Sequence, residues 1–125
     1  MIPSLNLDSM ELSGLSFAVG LKVQQKIQSV LNLPVSNPAL GRDSFFLVVS
    51  FGRCKFKLAC SSVGLILQAT IGGLASDFRV FQLGDRVFRF VVSAAAVGFF
   101  IRDLQVYECK LYKLFFHLWG NGGPN

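Results

Sequence analysis

Between Phe45 and Leu118 apolar residues recur with two periods, one of two residues and one of three to four, and the periods alternate along the chain. FFLVVSF at Phe45–Phe51 is a short run of aromatic and β-branched residues and predicts a buried strand. Gly52 interrupts it, and RCKFKL then alternates. An extended backbone there puts Arg53, Lys55 and Lys57 on one side and Cys54, Phe56 and Leu58 on the other. Ser61 or Ser62 caps a helix that runs to about Ile71, with Val63, Ile66, Leu67, Thr70 and Ile71 as its inward stripe and Gly72-Gly73 as its stop. Phe78–Leu83 alternates as a strand, Gly84-Asp85 turns, and Arg86–Val92 returns as the second arm of a hairpin. Ser93 suits the N-cap of a helix from Ala94 to about Leu104, with Val97, Phe100, Ile101 and Leu104 inward. A last strand is centred on Lys110–Leu118, before a run of turn residues from Gly120 to Asn125.

The predicted order from Phe45 is strand, helix, strand, strand, helix, strand. With right-handed crossovers both helices fall on one face of an antiparallel sheet, an α+β sandwich of the ferredoxin-like or RRM-like kind. Other divisions of Phe45–Leu58 remain open, including a local hairpin. Ahead of this pattern, residues 1–10 read as a flexible lead. Glu11–Leu33 has helical spacing, with Leu15, Val19, Val23, Ile27 and Val30 on one stripe. Gly14 and Gly20 weaken that helix by roughly 1 kcal/mol each relative to alanine. Pro34, Asn37 and Pro38 end it and lead to Gly41. The expected division is a helical extension over 1–40 and an α+β domain over 41–125. The stripe of the extension is a candidate interaction helix, docking on its own core, on another protein or on a second copy.

Charge sharpens this division. Of 125 residues 52% are hydrophobic and only 15% charged, so apolar surface must be buried internally or against a partner. Asp8, Glu11, Lys22 and Lys26 cancel within residues 1–40. Beyond them ten Lys/Arg face five acids, which puts the whole net charge of +5 on residues 41–125. Such an excess suits a polyanion and equally suits plain solubility. The candidate nucleic-acid contacts are Arg53, Lys55, Lys57, Arg79, Arg86 and Arg89, a set able to track the phosphates of single-stranded RNA or DNA.

Arg86–Ser93 also overlaps the octapeptide through which RRM domains stack bases. Arg86, Phe88, Phe90 and Val91 fit that form; Val87, Arg89, Val92 and Ser93 do not. Were Phe88 and Phe90 turned to solvent, Arg89 would lie beneath the helices as an unpaired guanidinium, which is costly. The expected phase is therefore Phe88 and Phe90 in the core and Arg89 on the open face.

The stretches VVSFGRCKFKL, LQATIGG, VFQLGDRVFRFVVSAAAVGFFIRDL and FFHLWGNGGPN resemble a domain of unknown function in retrotransposon-associated proteins of plants, grasses especially. The features shared are Gly84-Asp85, Phe88 with Phe90, Ser93 and Trp119, over roughly residues 45–125. The resemblance implies a retroelement-derived, RRM-like module. Some members carry a downstream CCHC zinc knuckle, which does not occur in this sequence.

Chemistry beyond binding finds little support. Cys54, Cys60 and Cys109 form no C-x-x-C pair and fit neither a disulfide framework nor a zinc site. His117 has no neighbouring carboxylate or nucleophile in sequence, Asp85 and Asp103 suit a turn and a helix end, and Gly120–Gly123 lacks the Lys-Ser/Thr of a phosphate loop. No catalytic residue, metal or cofactor is expected. Without a basic segment leading into an apolar one there is no signal-peptide pattern, so an intracellular protein, nuclear or cytoplasmic, is expected. The uncharged run Leu58–Ser76 approaches the length of a membrane span, but its serines, Gln68 and Gly72-Gly73 argue against one.

Overall fold

The computed structural model describes residues 14–120; the predicted flexible lead, the first turn of the helix expected from Glu11 and the turn residues 121–125 lie outside them. Three helices, α1 (Ala18–Leu31), α2 (Cys60–Ile71) and α3 (Ala95–Arg102), accompany five strands. The strands are β1 (Phe45–Cys54), β2 (Phe81–Gly84), β3 (Val87–Val92), β4 (Val106–Glu108) and β5 (Tyr112–Leu118). They form one sheet in the order β2-β3-β1-β5-β4, with every neighbouring pair antiparallel. The class is α+β.

Alternation along the central strands builds the core. Leu47, Val49 and Phe51 of β1, Phe88, Phe90 and Val92 of β3, and Tyr112, Leu114 and Phe116 of β5 are all buried on one side of the sheet. They share a single cluster with Val63, Ile66, Leu67 and Ile71 of α2 and Val97 and Ile101 of α3. Each large side chain withdrawn from water in this way is worth about 1.5–3 kcal/mol. Edge-to-face rings add to it, Phe78 on Phe90 at 5.8 Å and Phe51 on Phe88 at 6.1 Å between centroids.

Several local expectations shift. β1 does not stop at Gly52 but continues to Cys54 through an irregularity in its pairing with β5. Lys55–Leu58 lie past the strand, so the predicted alternating basic edge extends only through Arg53 and Cys54. Phe78 is not a strand residue. It closes a 3-10 turn (Ala75–Phe78) whose following residue, Arg79, has φ 49°, and this turn carries the ring into the core. Ser93 is not the N-cap of α3. Ala94 occupies that position, while the Ser93 amide and hydroxyl donate to the carbonyls of Val35 (3.0 Å) and Pro34 (2.5 Å). Leu104 falls past the end of α3 and is exposed rather than inward. The last strand begins at Tyr112, two residues later than predicted, and the short β4 that pairs with it was not foreseen. Among the described residues no helix is long and apolar enough to cross a membrane.

The residues before Gly41 are bound into the same core. Ile27 and Val35 are fully buried within it, and Leu15 nearly so. α1 crosses α2 so closely that a Cβ on Gly20 would lie 2.1 Å from the Gln68 carbonyl oxygen and 2.9 Å from that of Ala69. A glycine that costs helix propensity is therefore required by the crossing. Just beyond α2, Gln24 Oε1 accepts from the Gly73 amide at 3.0 Å and Ser36 Oγ from the Leu74 amide at 3.1 Å.

Two outcomes follow from this docking. Gly20→Ala drives a methyl into backbone that cannot yield and destabilises by about 1–3 kcal/mol. Gly41→Ala, with nothing within 4 Å of its Cβ, is the near-neutral control in urea titrations. A chain starting at Gly41 uncovers the sites of Ile27 and Val35 and removes the acceptors of Ser93; it melts well below the full chain or aggregates. Equal melting temperatures for the two chains would refute the docking.

Candidate nucleic-acid interface on the open sheet face

The same alternation that points nine core residues at the helices points their neighbours away from them. Register orders these neighbours into rows across the strands. Phe81 of β2 stands opposite Arg89 of β3, Arg89 opposite Val48 of β1, and Val48 opposite His117 of β5. To one side of this row Val91 faces Phe46, with Trp119 just past β5. To the other side run Val87, Ser50, Phe115 and Val106, and beyond them Lys113 faces Glu108.

Arg89 is the centre of the face. Its guanidinium carbon lies 4.8 Å from the ring centroid of Phe46, 5.0 Å from that of Phe81 and 5.5 Å from that of Trp119. Each cation–π contact contributes about 0.5–2 kcal/mol, more as water is excluded. Nε is buried and makes no hydrogen bond among the described residues. The phase expected for β3 is observed: Phe88 and Phe90 are fully buried and Arg89 is on the open side.

Aromatic rings nevertheless occupy that side, and they come from other strands. Phe46, Phe81 and Phe115 were not singled out from sequence, and Trp119 only as a feature of the family resemblance, although the parity rule applied to β3 would have found Phe46 in FFLVVSF and Phe115 in KLFFHLW. Phe81 is the most open of them, 54% exposed on the edge strand. His117, read from sequence as lacking a neighbouring nucleophile, has one: its Nε2 is 2.8 Å from Ser50 Oγ across the β1–β5 register. That pair presents both a donor and an acceptor at the surface.

The six basic candidates do not assemble into one stripe. Arg53 donates to the carbonyls of Lys110 (2.8 Å) and Cys109 (2.6 Å) and pairs with Glu108 at 3.1 Å. An ion pair this exposed is worth about 0–1 kcal/mol. Arg86 caps the end of β1 through the Phe51 and Gly52 carbonyls. Arg79 donates to Pro38 O at 3.2 Å, beside the linker. Lys55 and Lys57 are exposed after β1, and only Arg89 lies within the aromatic group. Of the candidate interaction stripe, Leu15 and Ile27 are buried against the chain's own core, Val19 and Val23 are half-buried, and Val30 is exposed.

Compared with family models, curated proteins and solved structures, the chain matches none.

A second concentration of polar groups lies on the helix side, below the end of β1. The Tyr112 hydroxyl is 2.8 Å from Thr70 Oγ1, which itself donates to Ile66 O. Tyr107 packs on the Tyr112 ring, and both line a cleft of about 330 Å³ with Leu15, Val19 and Cys109. Burial pushes the Tyr112 and Tyr107 phenols and the Cys54 thiol above their ordinary values. All three cysteines are free, and no group of three or more His, Cys, Asp or Glu among the described residues could hold a metal ion.

For these three groups the folded state holds the proton more tightly than the unfolded chain. Their contribution is complete below the ordinary thiol and phenol values of 9.0 and 10.0 and is lost as pH rises beyond them. The melting temperature is expected to be flat through neutral pH and to fall steeply above about pH 10. Tyr112→Phe should flatten part of that fall. An unchanged alkaline limb in the variant would remove Tyr112 from the account.

Proposed function

We propose that this is a non-enzymatic, ferredoxin-like and RRM-like module that binds single-stranded nucleic acid weakly and without sequence preference on its open sheet face. The observation that carries the reading is the group of three rings, Phe46, Phe81 and Trp119, around Arg89 on the side of the sheet away from the helices, with Phe115 on the same side beside Lys113. Connectivity is consistent with it. β1 lies between β3 and β5, the arrangement of a β-α-β-β-α-β sandwich, with β4 added as a hairpin arm on the edge. The likeness to plant retroelement domains fits the same reading, as a retroelement-derived copy.

Stacking supplies most of the affinity in this proposal, because every base has a π-face and each base–ring contact contributes about 1–3 kcal/mol. Electrostatics supplies less than the net charge suggests, since Arg53, Arg79 and Arg86 are engaged with the chain's own carbonyls. A protein partner is the second reading. Exposed Phe81, Leu83 and Val106 favour it, but β2 and β4 are four and three residues long, short edges for adding a foreign strand.

Anisotropy titration with a labelled single-stranded oligonucleotide tests the proposal. Binding is expected at low salt with a shallow dependence, a log–log slope of roughly −2 for three phosphate contacts. Phe81→Ala should weaken it about tenfold with an unchanged melting temperature. Absence of binding at low salt sinks the proposal, and mass that rises with protein concentration would favour the second reading.

A further inference from the structure

Arg89 sits in an unusual position for a surface cation. A guanidinium keeps its charge at any ordinary pH and offers five donors, so a partly desolvated one calls for an acceptor. Three ring centroids lie within 5.5 Å of its guanidinium carbon, and its Nε finds no acceptor among the described residues. The ion pairs Arg53–Glu108 and Arg102–Asp103 are elsewhere, and the side chains next to it in its row are Phe81 and Val48. Nε is buried, while the neighbouring Phe81 ring is 54% exposed. Charge is thus held among the rings, apart from the row in which Lys113 faces Glu108, beside a ring on which a flat group can stack.

We infer that Arg89 and Phe81 form a one-nucleotide subsite, with the phosphate held by the guanidinium Nη donors and the base stacked on the Phe81 ring. The inference rests on the nucleic-acid reading above and adds to it a phosphate requirement at a single named residue. Planar, charge-assisted donors match a phosphate in paired hydrogen bonds, and the flanking rings limit competition from water. A bare ring would take a nucleoside and a nucleotide equally; this site does not.

Trp119 is the single tryptophan of the chain and is 5.5 Å from the guanidinium, so its fluorescence reports on occupancy. The full-length protein is titrated with uridine monophosphate, uridine and inorganic phosphate. The monophosphate is expected to bind about tenfold more tightly than either fragment. Arg89→Gln, checked for an unchanged melting temperature, is expected to make monophosphate and uridine equal. Equal binding of the two by the wild-type protein overturns the subsite, as does inorganic phosphate matching the monophosphate. If oligonucleotide binding persists in either case, the subsite fails while the nucleic-acid reading stands. If the wild-type chain binds no oligonucleotide, both fail.

Discussion

Everything in this domain depends on the strict alternation of side chains along three central strands. β1, β3 and β5 each send every second residue to the helices and the others to the open face, and a slip of one residue would exchange the two sets. What holds the phase is the difference in cost between the alternatives. In the observed register the core receives Leu47, Val49, Phe88, Phe90, Leu114 and Phe116, while Arg89, Ser50, Lys113 and His117 stay outside. The reverse would bury a guanidinium, an ammonium and an imidazole together and expose six apolar side chains, a penalty of the order of an ordinary domain's whole stability.

Because that rule is local, much of the fold was legible before any coordinates. The hairpin around Gly84-Asp85, the existence of α2 and α3, and the phase of β3 all come from periodicity and turn chemistry within a few residues. The N-cap of α2 is nevertheless Ala59, not Ser61 or Ser62, with Ser62 Oγ inside the first turn accepting from the Ala59 amide. What was not legible depends on distant partners. Ser93 looks like a helix cap in its own neighbourhood, yet it is bound to Pro34 and Val35 from nearly sixty positions earlier. Gly20 looks like a defect in a helix until α2 is brought against it. β4 is three residues long and gains its identity from pairing with β5, so no pattern within Val106–Glu108 could announce it.

The candidate site divides the same way. Charge was the visible signal in sequence, and it pointed at six cations; in the fold three of them, Arg53, Arg79 and Arg86, serve the chain itself, fastening strand ends and loops to carbonyls. The rings were the less visible signal. Thirteen phenylalanines give no hint of which stand outside, because inside and outside are assigned only when parity is combined with strand position. Phe81 shows the difficulty: its strand starts three residues later than periodicity implies, and the 3-10 turn before it resets the phase.

Arg89 links the two halves of this account. On an open face a lone arginine would be solvated and mobile, losing up to about 2 kcal/mol of rotamer freedom on binding anything. Stacking against Phe46, Phe81 and Trp119 settles that loss during folding, since the rings are held by β1, β2 and the end of β5. The same rings gain a covering over part of their apolar surface, which lowers the cost of leaving aromatics outside the core. Each partner therefore makes the other tolerable. A sheet face this apolar can remain open to solvent because its central charge was ordered by the same alternation that built the core.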